Sequence, residues 1–411
     1  MAEKEKINLF DKKKDCCACG ACMNVCPKDA ISMEKDEYGF VYPEINYDKC
    51  ISCGACKRVC GYSSREGFVK PQKVYAAAAT DKKVLKSSAS GGMFAVLAEN
   101  MLEKGGTVYG AAMPYEEGRL VPKHIRIEKK EDIIKLQGSK YVQSDTGFTY
   151  SEAKNDLENG LYVLYSGTPC QITGLKNYLN KDYENLLTVE IICHGVPSAA
   201  FFNDFIENER KRRNVKEITS FSFRDKSRGQ DMSSRLIMLD KNGNSKEKVI
   251  CGKTSSYVSL FLKSLTYREN CYSCPYAVPE RGADVTLGDF WGFHEEYPSK
   301  ENTADLSNSK GISCMLINTE KGKRIVADIK DRLSIMESEF DKVACHNDQL
   351  RTPSKYNSLR EHILELYKDK GYAAVEGYYR KKYRAERIGR SVIWILPKGL
   401  KRTMKQLKPK K

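Results

Sequence analysis

From residue 74 onward, short continuous apolar runs alternate with segments whose apolar residues recur every three or four positions. These are the signatures of buried strands and amphipathic helices. Residues 74–79 predict a strand. Met93, Phe94, Val96, Leu97, Met101 and Leu102 predict a helix that Gly105-Gly106 stops. A strand at 107–113, a short helix near 131–136, a helix at 149–159 and a strand at 161–165 follow. Then come a helix to Leu179, a strand at 186–192 and a long helix to about Arg213. This rhythm predicts a largely parallel sheet covered on both faces. From about 216 it changes: 218–224, 235–239 and 248–251 read as an antiparallel section, then a helix at 255–266, strands at 284–287 and 312–318, and a helix at 321–332. Residues 355–388 read as helix rich in Tyr, Lys and Arg. Ahead of all this, residues 1–62 hold two half-repeats, each a cysteine run beside a short strand (30–33 and 40–42). Residues 63–73, with Ser63, Ser64, Gly67 and Pro71, read as a linker. The expected class is α+β or α/β: a small N-terminal domain, a mixed α/β body at 74–340 and a helical, basic extension at 341–411.

The cysteine runs carry the first chemistry. One reads Cys16-x2-Cys19-x2-Cys22-x3-Cys26-Pro27 and the other Cys50-x2-Cys53-x2-Cys56-x3-Cys60. This is the spacing of a two-cluster bacterial-type ferredoxin, in which the fourth cysteine of each run serves the other cluster. Cys16, Cys19, Cys22 and Cys60 are therefore expected to hold one [4Fe–4S] cluster, and Cys50, Cys53, Cys56 and Cys26 a second. A zinc site has no use for a third cysteine at the same spacing, and a disulfide scaffold needs an oxidising compartment. Cys17, beside Cys16, reads as a spare thiol.

Charge changes the picture less than its total suggests. The chain of 411 residues carries +15, but 380–411 alone hold thirteen Lys/Arg and one Glu, leaving the rest near neutral. A body so balanced argues against nucleic acid. The tail reads either as a solvated end or as a membrane-surface contact. In the second reading Ile388, Val392, Ile393, Trp394, Leu396 and Leu400 interleave with Arg387, Arg390, Lys398, Lys401 and Arg402, with Pro397 interrupting. No apolar run reaches the length of a membrane span, and residues 1–14 carry no apolar leader core. With sixteen cysteines, a reducing and anaerobic cytoplasm is expected, the tail lying at the inner face of the membrane under the second reading.

Two further loops, 167–171 and 193–198, each follow a strand and precede a helix, which puts both at carboxyl ends of strands if those strands are parallel. They would bring Cys170 and Cys193 to one rim. Cys271-x2-Cys274-Pro275 completes a quartet with the ligand count of a third [4Fe–4S] cluster, zinc being the alternative. Cys251, Cys314 and Cys345 read as inert buried thiols. Ser88, Ser90, Gly91 and Gly92 open a helix whose amides suit a phosphate. Gly138, Ser139, Lys140 and Tyr141 offer a cation and an aromatic beside a tight turn, compatible with a flavin nucleotide. There is no G-x-G-x-x-G and no G-x4-G-K-[ST], so a standard Rossmann NAD site and a P-loop ATPase are disfavoured.

The ordered set Ser88-Ala89-Ser90-Gly91-Gly92, Gly138-Ser139-Lys140-Tyr141-Val142-Gln143-Ser144, Gly167-Thr168-Pro169-Cys170-Gln171, Cys193-His194-Gly195-Val196-Pro197-Ser198, Arg268-x2-Cys271-x2-Cys274-Pro275 and Gly288-Asp289-Phe290-Trp291-Gly292 resembles the coenzyme F420 hydrogenase/dehydrogenase β-subunit family over about 75–335. The resemblance implies a flavoprotein body, with a flavin-binding part at 74–215 and the C-terminal part at 216–340. It implies FAD, a cluster in the body and a site for a two-electron carrier or small organic substrate, F420-like or otherwise. Single electrons would then pass between a ferredoxin or other redox protein, the two N-terminal clusters, the body cluster and FAD, in either direction. Gly167 and Thr168 join 88–92 and 138–141 as expected flavin contacts. His194 would tune potential or relay a proton, or serve as a hydrogen-bonded structural residue. Asp289 would cap a turn or position flavin or substrate. The alternative is an electron-transfer subunit whose chemistry lies in a partner, linked to surface-polysaccharide synthesis.

Overall fold

The computed structural model describes residues 6–396, apart from 63, 230–231, 301–305, 308 and the side chain of 300. Ser63 of the expected linker and the basic segment 397–411 lie outside the described residues. The N-terminal unit is built on an antiparallel hairpin, β1 (Ile31–Lys35) and β2 (Val41–Ile45). The short helices Ala21–Asn24 and Ala55–Val59 flank it, one in each half-repeat.

The body begins with β3 (Lys73–Ala79) and β4 (Thr107–Ala112). A small hairpin, β5 (Tyr115–Glu116) and β6 (Arg119–Leu120), leads into β7 (Lys123–Ile127). Next are β8 (Val163–Gly167) and β9 (Leu186–Ile191). Three longer strands follow: β10 (Glu217–Asp225), β11 (Ser233–Leu239) and β12 (Ser245–Cys251). The last are β13 (Val285–Asp289), β14 (Ser313–Ile317) and β15 (Leu333–Ser338). Eight strands form one sheet in the order β15-β3-β14-β13-β9-β8-β4-β7. Its core gathers Val96, Leu97 and Met101 of the helix Met93–Glu103 against Val108, Leu164, Leu187, Val285 and Met315.

The expectation of a largely parallel sheet is corrected. Only β4–β8, β8–β9 and β9–β13 pair in parallel; the other four pairings are antiparallel. A run such as β3 is apolar because both faces are covered, and that pattern is the same whichever way the neighbour runs. The strands β7 and β15 escape the sequence reading because they are edges, half-exposed and short of apolar residues. What matters for the site is that β3, β4, β8, β9 and β13 share one direction, so their carboxyl ends open on the same side.

The strands β10–β12 form a separate antiparallel sheet, as the sequence predicts. It packs on the helices Ala199–Arg213 and Ser256–Leu262 through Phe201, Phe202, Phe205, Phe221, Phe223 and Tyr257. The C-terminal helix Leu359–Lys382 closes this aromatic core with Ile363, Tyr367, Tyr372, Val375 and Tyr379. The single helix expected at 355–388 is interrupted at Gly371, whose φ of 70° is left-handed, and a second helix, Arg384–Ile395, follows. On it Ile388, Val392 and Ile395 are exposed at a spacing that puts them on one face. Trp394 is turned the other way: its indole N–H donates to Ser233 Oγ at 3.1 Å and Arg228 lies 4.1 Å over its ring. No helix among the described residues is long and apolar enough to cross a membrane.

Candidate redox site

Each cysteine run folds the same way. The residue two past its first cysteine, Ala18 or Ser52, has positive φ and turns its amide back onto that sulfur at 3.4 Å. A left-handed glycine, Gly20 or Gly54, then starts the short helix. The turn directs three side chains inward. Cys16, Cys19, Cys22 and Cys60 lie near enough to act on one another electrostatically, as do Cys56, Cys50 and Cys26. The first four are the expected set, and Cys26, Cys50 and Cys56 are three of the expected second four. Cys53 of the second set is exposed.

The first set is pressed against the body. The helix Pro169–Leu179 presents Gly174 to it, where a Cβ would lie 2.8 Å from Cys19 Sγ; only glycine lets the sulfur sit there. Thr146 Oγ1 donates to Cys19 O at 2.9 Å and Asn24 Nδ2 to Gly147 O at 2.7 Å. Arg268 is the firmest link. Fully buried, it donates from Nε to Cys16 O at 3.0 Å and from Nη1 to Val41 O at 2.8 Å, and its guanidinium lies 3.9 Å over Tyr42. Its Nη2 has no hydrogen-bond partner, and no carboxylate pairs with it among the described residues.

A cavity of 870 Å³ opens at the carboxyl ends of β4, β8, β9 and β13. Cys170, Cys193, Cys271 and Cys274 all line it, so the quartet read from four separate loops does converge. Burial pushes the Cys271 and Cys274 thiols up to about 12 and raises Cys193 as well. Those three thiols stay protonated unless a metal supplies positive charge, whereas the hydrogen bond from Cys17 lowers Cys170 to about 7. Cys17 is corrected. It is not spare but buried, against Cys19 and Cys170, and with Cys170 it lines both this cavity and the narrow space among Cys16, Cys19, Cys22 and Cys60. Cys345 is corrected too: it is exposed. Cys314 is buried as expected and Cys251 half-buried.

Of the expected flavin contacts, Ser88, Ser90 and Gly92 line the cavity, as do Gly138, Ser139, Lys140 and Tyr141, and Gly167 and Thr168. Gly91 does not; its amide donates to Ser313 Oγ at 2.9 Å and its α-carbon packs against Ala77. The serine hydroxyls face inward, Ser88 donating to Val84 O at 2.7 Å and Ser90 to Ile312 O at 3.0 Å. The first amides of the helix Met93–Glu103, which lack intrahelical acceptors, border the cavity instead. Lys140 also has a prior engagement. Its ammonium donates to the carbonyls of Leu136 at 2.8 Å and Gln137 at 2.9 Å, and burial lowers it to about 7. Thr168 caps the helix Pro169–Leu179 in a capping box with Gln171. His194 lines the cavity, and burial lowers its pKa. Asp289 pairs with Arg224 at 3.1 Å, and Arg224 lies 5.2 Å over Trp291.

Sequence reasoning missed Arg224, Lys226 and His124, none of which stands in a recognisable pattern. Lys226 donates to the carbonyls of Leu85, Ser90 and Lys310 at 2.9, 2.5 and 2.6 Å, fixing the loop 88–92. His124 is buried behind β8; Nε2 donates to Ser166 O at 3.1 Å and Nδ1 accepts from Ser144 Oγ at 3.0 Å. Burial lowers its pKa to about 4. The unfolded chain, with an ordinary value near 6.5, therefore binds the extra proton between those pH values. This contribution to stability is complete above pH 6.5 and is lost as pH falls toward 4. The wild type should lose about 2 kcal/mol between pH 7 and 5 by urea unfolding, and His124→Gln should lose that slope. An unchanged slope in the variant would assign the pH dependence elsewhere.

The coenzyme F420 hydrogenase/dehydrogenase beta-subunit N-terminal profile matches residues 74–147, and the C-terminal profile residues 161–343. A 4Fe–4S dicluster domain matches residues 15–64. A chain of the F420-reducing [NiFe] hydrogenase complex from Methanosarcina barkeri is similar at 18% identity over 76% of this chain and 94% of that one, with a TM-score of 0.40. No curated protein matches. The dicluster domain and the body behind it define an iron–sulfur oxidoreductase. The chain belongs to the coenzyme F420 hydrogenase/dehydrogenase beta-subunit family.

Proposed function

We propose that this protein is an iron–sulfur flavoprotein that carries single electrons between a redox partner and the 870 Å³ cavity, where they are exchanged in pairs with a substrate. The observation that carries the reading is the run of thiols leading to the cavity. Cys53 and Cys60 are exposed, and Cys17 and Cys170 join the set of Cys16, Cys19, Cys22 and Cys60 to the quartet in the cavity wall.

The residues fit the cofactors. Each of the three cysteine sets has the four thiolates a [4Fe–4S] cluster takes. The buried, carboxylate-free guanidinium of Arg268, with its unpartnered Nη2, balances an anionic cluster held at Cys16. The cavity is of a size for a dinucleotide cofactor. The amides at the start of the helix Met93–Glu103 would take its phosphates, while Ser88, Ser90, Lys140 and Lys226 hold the loops in place. When bound, the clusters supply one-electron chemistry and FAD couples it to two-electron chemistry. His194, Arg224, Asp289 and Trp291 would orient the substrate; buried His194 stays neutral near pH 7 and can accept or give a proton at the ring.

Anaerobic purification followed by iron and flavin analysis tests the reading. About one FAD per chain, bleached by dithionite, is expected. A preparation full of iron but without flavin, and unable to take FAD up, would leave an electron-transfer subunit whose chemistry lies in a partner.

A further inference from the structure

Outside the redox series, three donors of different kinds meet at the cavity rim. Glu296 ends the short helix Phe293–Glu296; Cys345 and His346 follow the helix Phe340–Ala344, about fifty residues on. Glu296 Oε1 lies 3.1 Å from His346 Nε2 and 3.5 Å from Cys345 Sγ, and all three ligand atoms fall within 4.8 Å of one another. Cys345 and His346 line the cavity mouth.

We propose that Glu296, Cys345 and His346 form a binding site for a divalent cation of the zinc class. Bonds of about 2.0–2.3 Å to oxygen, nitrogen and sulfur at tetrahedral angles put neighbouring ligand atoms about 3.3–3.5 Å apart. The Glu–His and Glu–Cys separations are close to those edges, so little rearrangement is needed. One sulfur, one imidazole and one carboxylate select zinc over magnesium or calcium, which take oxygen ligands.

The backbone around the three residues is built to hold them. Gly292 has a φ of 71°, and a Cβ there would lie 2.3 Å from the His346 ring, so only glycine admits the imidazole to this position. Asn347, the next residue, is buried and donates to Asp289 O at 3.3 Å and Val343 O at 3.1 Å, anchoring the Cys-His pair beside the redox cavity. Glu295 Oε2 stands 4.0 Å from His346 Nε2 and is within reach as a fourth ligand. Without it, the exposed side of the site leaves a position for water or an oxygen of a ligand at the cavity mouth, the arrangement of an open zinc site. Binding releases the Cys345 thiol proton to solvent, the neutral imidazole ligates through Nε2 with its proton on Nδ1, and no electron moves. Without a metal the same contacts are hydrogen bonds, His346 Nε2 to Glu296 Oε1 at 3.1 Å and the Cys345 thiol to Glu296 Oε1 at 3.5 Å and Lys342 O at 3.2 Å; the zinc test distinguishes the two.

The test is anaerobic equilibrium dialysis of the full-length, iron-loaded protein against Zn²⁺, with zinc and iron measured in the same sample. About one zinc per chain, at unchanged iron, is expected for the wild type and for Cys251→Ser. Cys345→Ser and His346→Ala should each bind at least ~10-fold more weakly while keeping their iron, which also shows that they fold; loss of a mere outer-shell partner already costs about 10–100-fold. Glu296→Gln should weaken binding in the same direction. Zinc retained equally by Cys345→Ser and His346→Ala, zinc gained only as iron is lost, or no zinc retained at all would each overturn the proposal.

Discussion

Replacing Cys271 or Cys274 with serine should remove about four of about twelve iron atoms and leave the other eight in place. The two residues sit in the loop that completes the cavity quartet, and a cubane short of one thiolate is readily lost. Cys19→Ser should likewise remove about four, but from the inner N-terminal set. Cys251→Ser, away from every set, should remove none. Cys271→Ser and Cys274→Ser touch the cavity quartet, Cys19→Ser the inner N-terminal set and Cys251→Ser neither, so the iron lost reports which set was disturbed. Twelve irons retained in Cys271→Ser and Cys274→Ser would show that the quartet holds no cluster; eight in the wild type would say the same.

The second large effect is expected at Arg268. Truncation to alanine strands two part-buried carbonyls, those of Cys16 and Val41, at about 1 kcal/mol each, and removes a desolvated cation–π contact worth about 2 kcal/mol. The attachment of the N-terminal unit should weaken by about 3 kcal/mol or more. In urea this should appear as an early transition in which residues 1–62 undock, with proteolytic cleavage near residues 63–73 ahead of global unfolding. Arg268→Lys keeps the charge but loses the two-pronged geometry, so it should fall between wild type and alanine. A single transition at the wild-type midpoint in Arg268→Ala would mean that the contacts of Thr146 and Asn24 with this unit hold it alone.

Both expectations depend on positions that spacing made visible and that packing made meaningful. Arg268 stands in the motif before Cys271, but nothing local says that it reaches across to Cys16 and Val41. Cys17 gives the sharper case. Its neighbour Cys16 belongs to a cluster set, so by spacing alone Cys17 has no role; only the docking of residues 1–62 on the helix Pro169–Leu179 turns it toward Cys170. The flavin-contact residues divide in the same way. Their loops follow strands and reach the cavity as expected, yet the hydroxyls of Ser88 and Ser90 and the ammonium of Lys140 are taken up by backbone carbonyls. The partner of Ser90, Ile312, comes from a distant segment; those of Ser88 and Lys140 are three or four residues away, but that the side chains turn back to them depends on the packed loop.

The sequence by itself determined the turn that gathers the three closely spaced cysteines of each run, since residues so near in the chain are placed by local turn geometry. It also determined most helices and buried strands, because amphipathic and continuous apolar periods are local properties. Only the tertiary structure decided that four of the seven strand pairings in the large sheet are antiparallel and that edge strands complete it. It likewise decided that Cys17 and Arg224 line the cavity, that His124 is buried outside its lining, and that Glu296 meets Cys345 and His346. These are relations between segments far apart in the chain, set by which buried surfaces and polar groups satisfy one another once the chain has closed on itself.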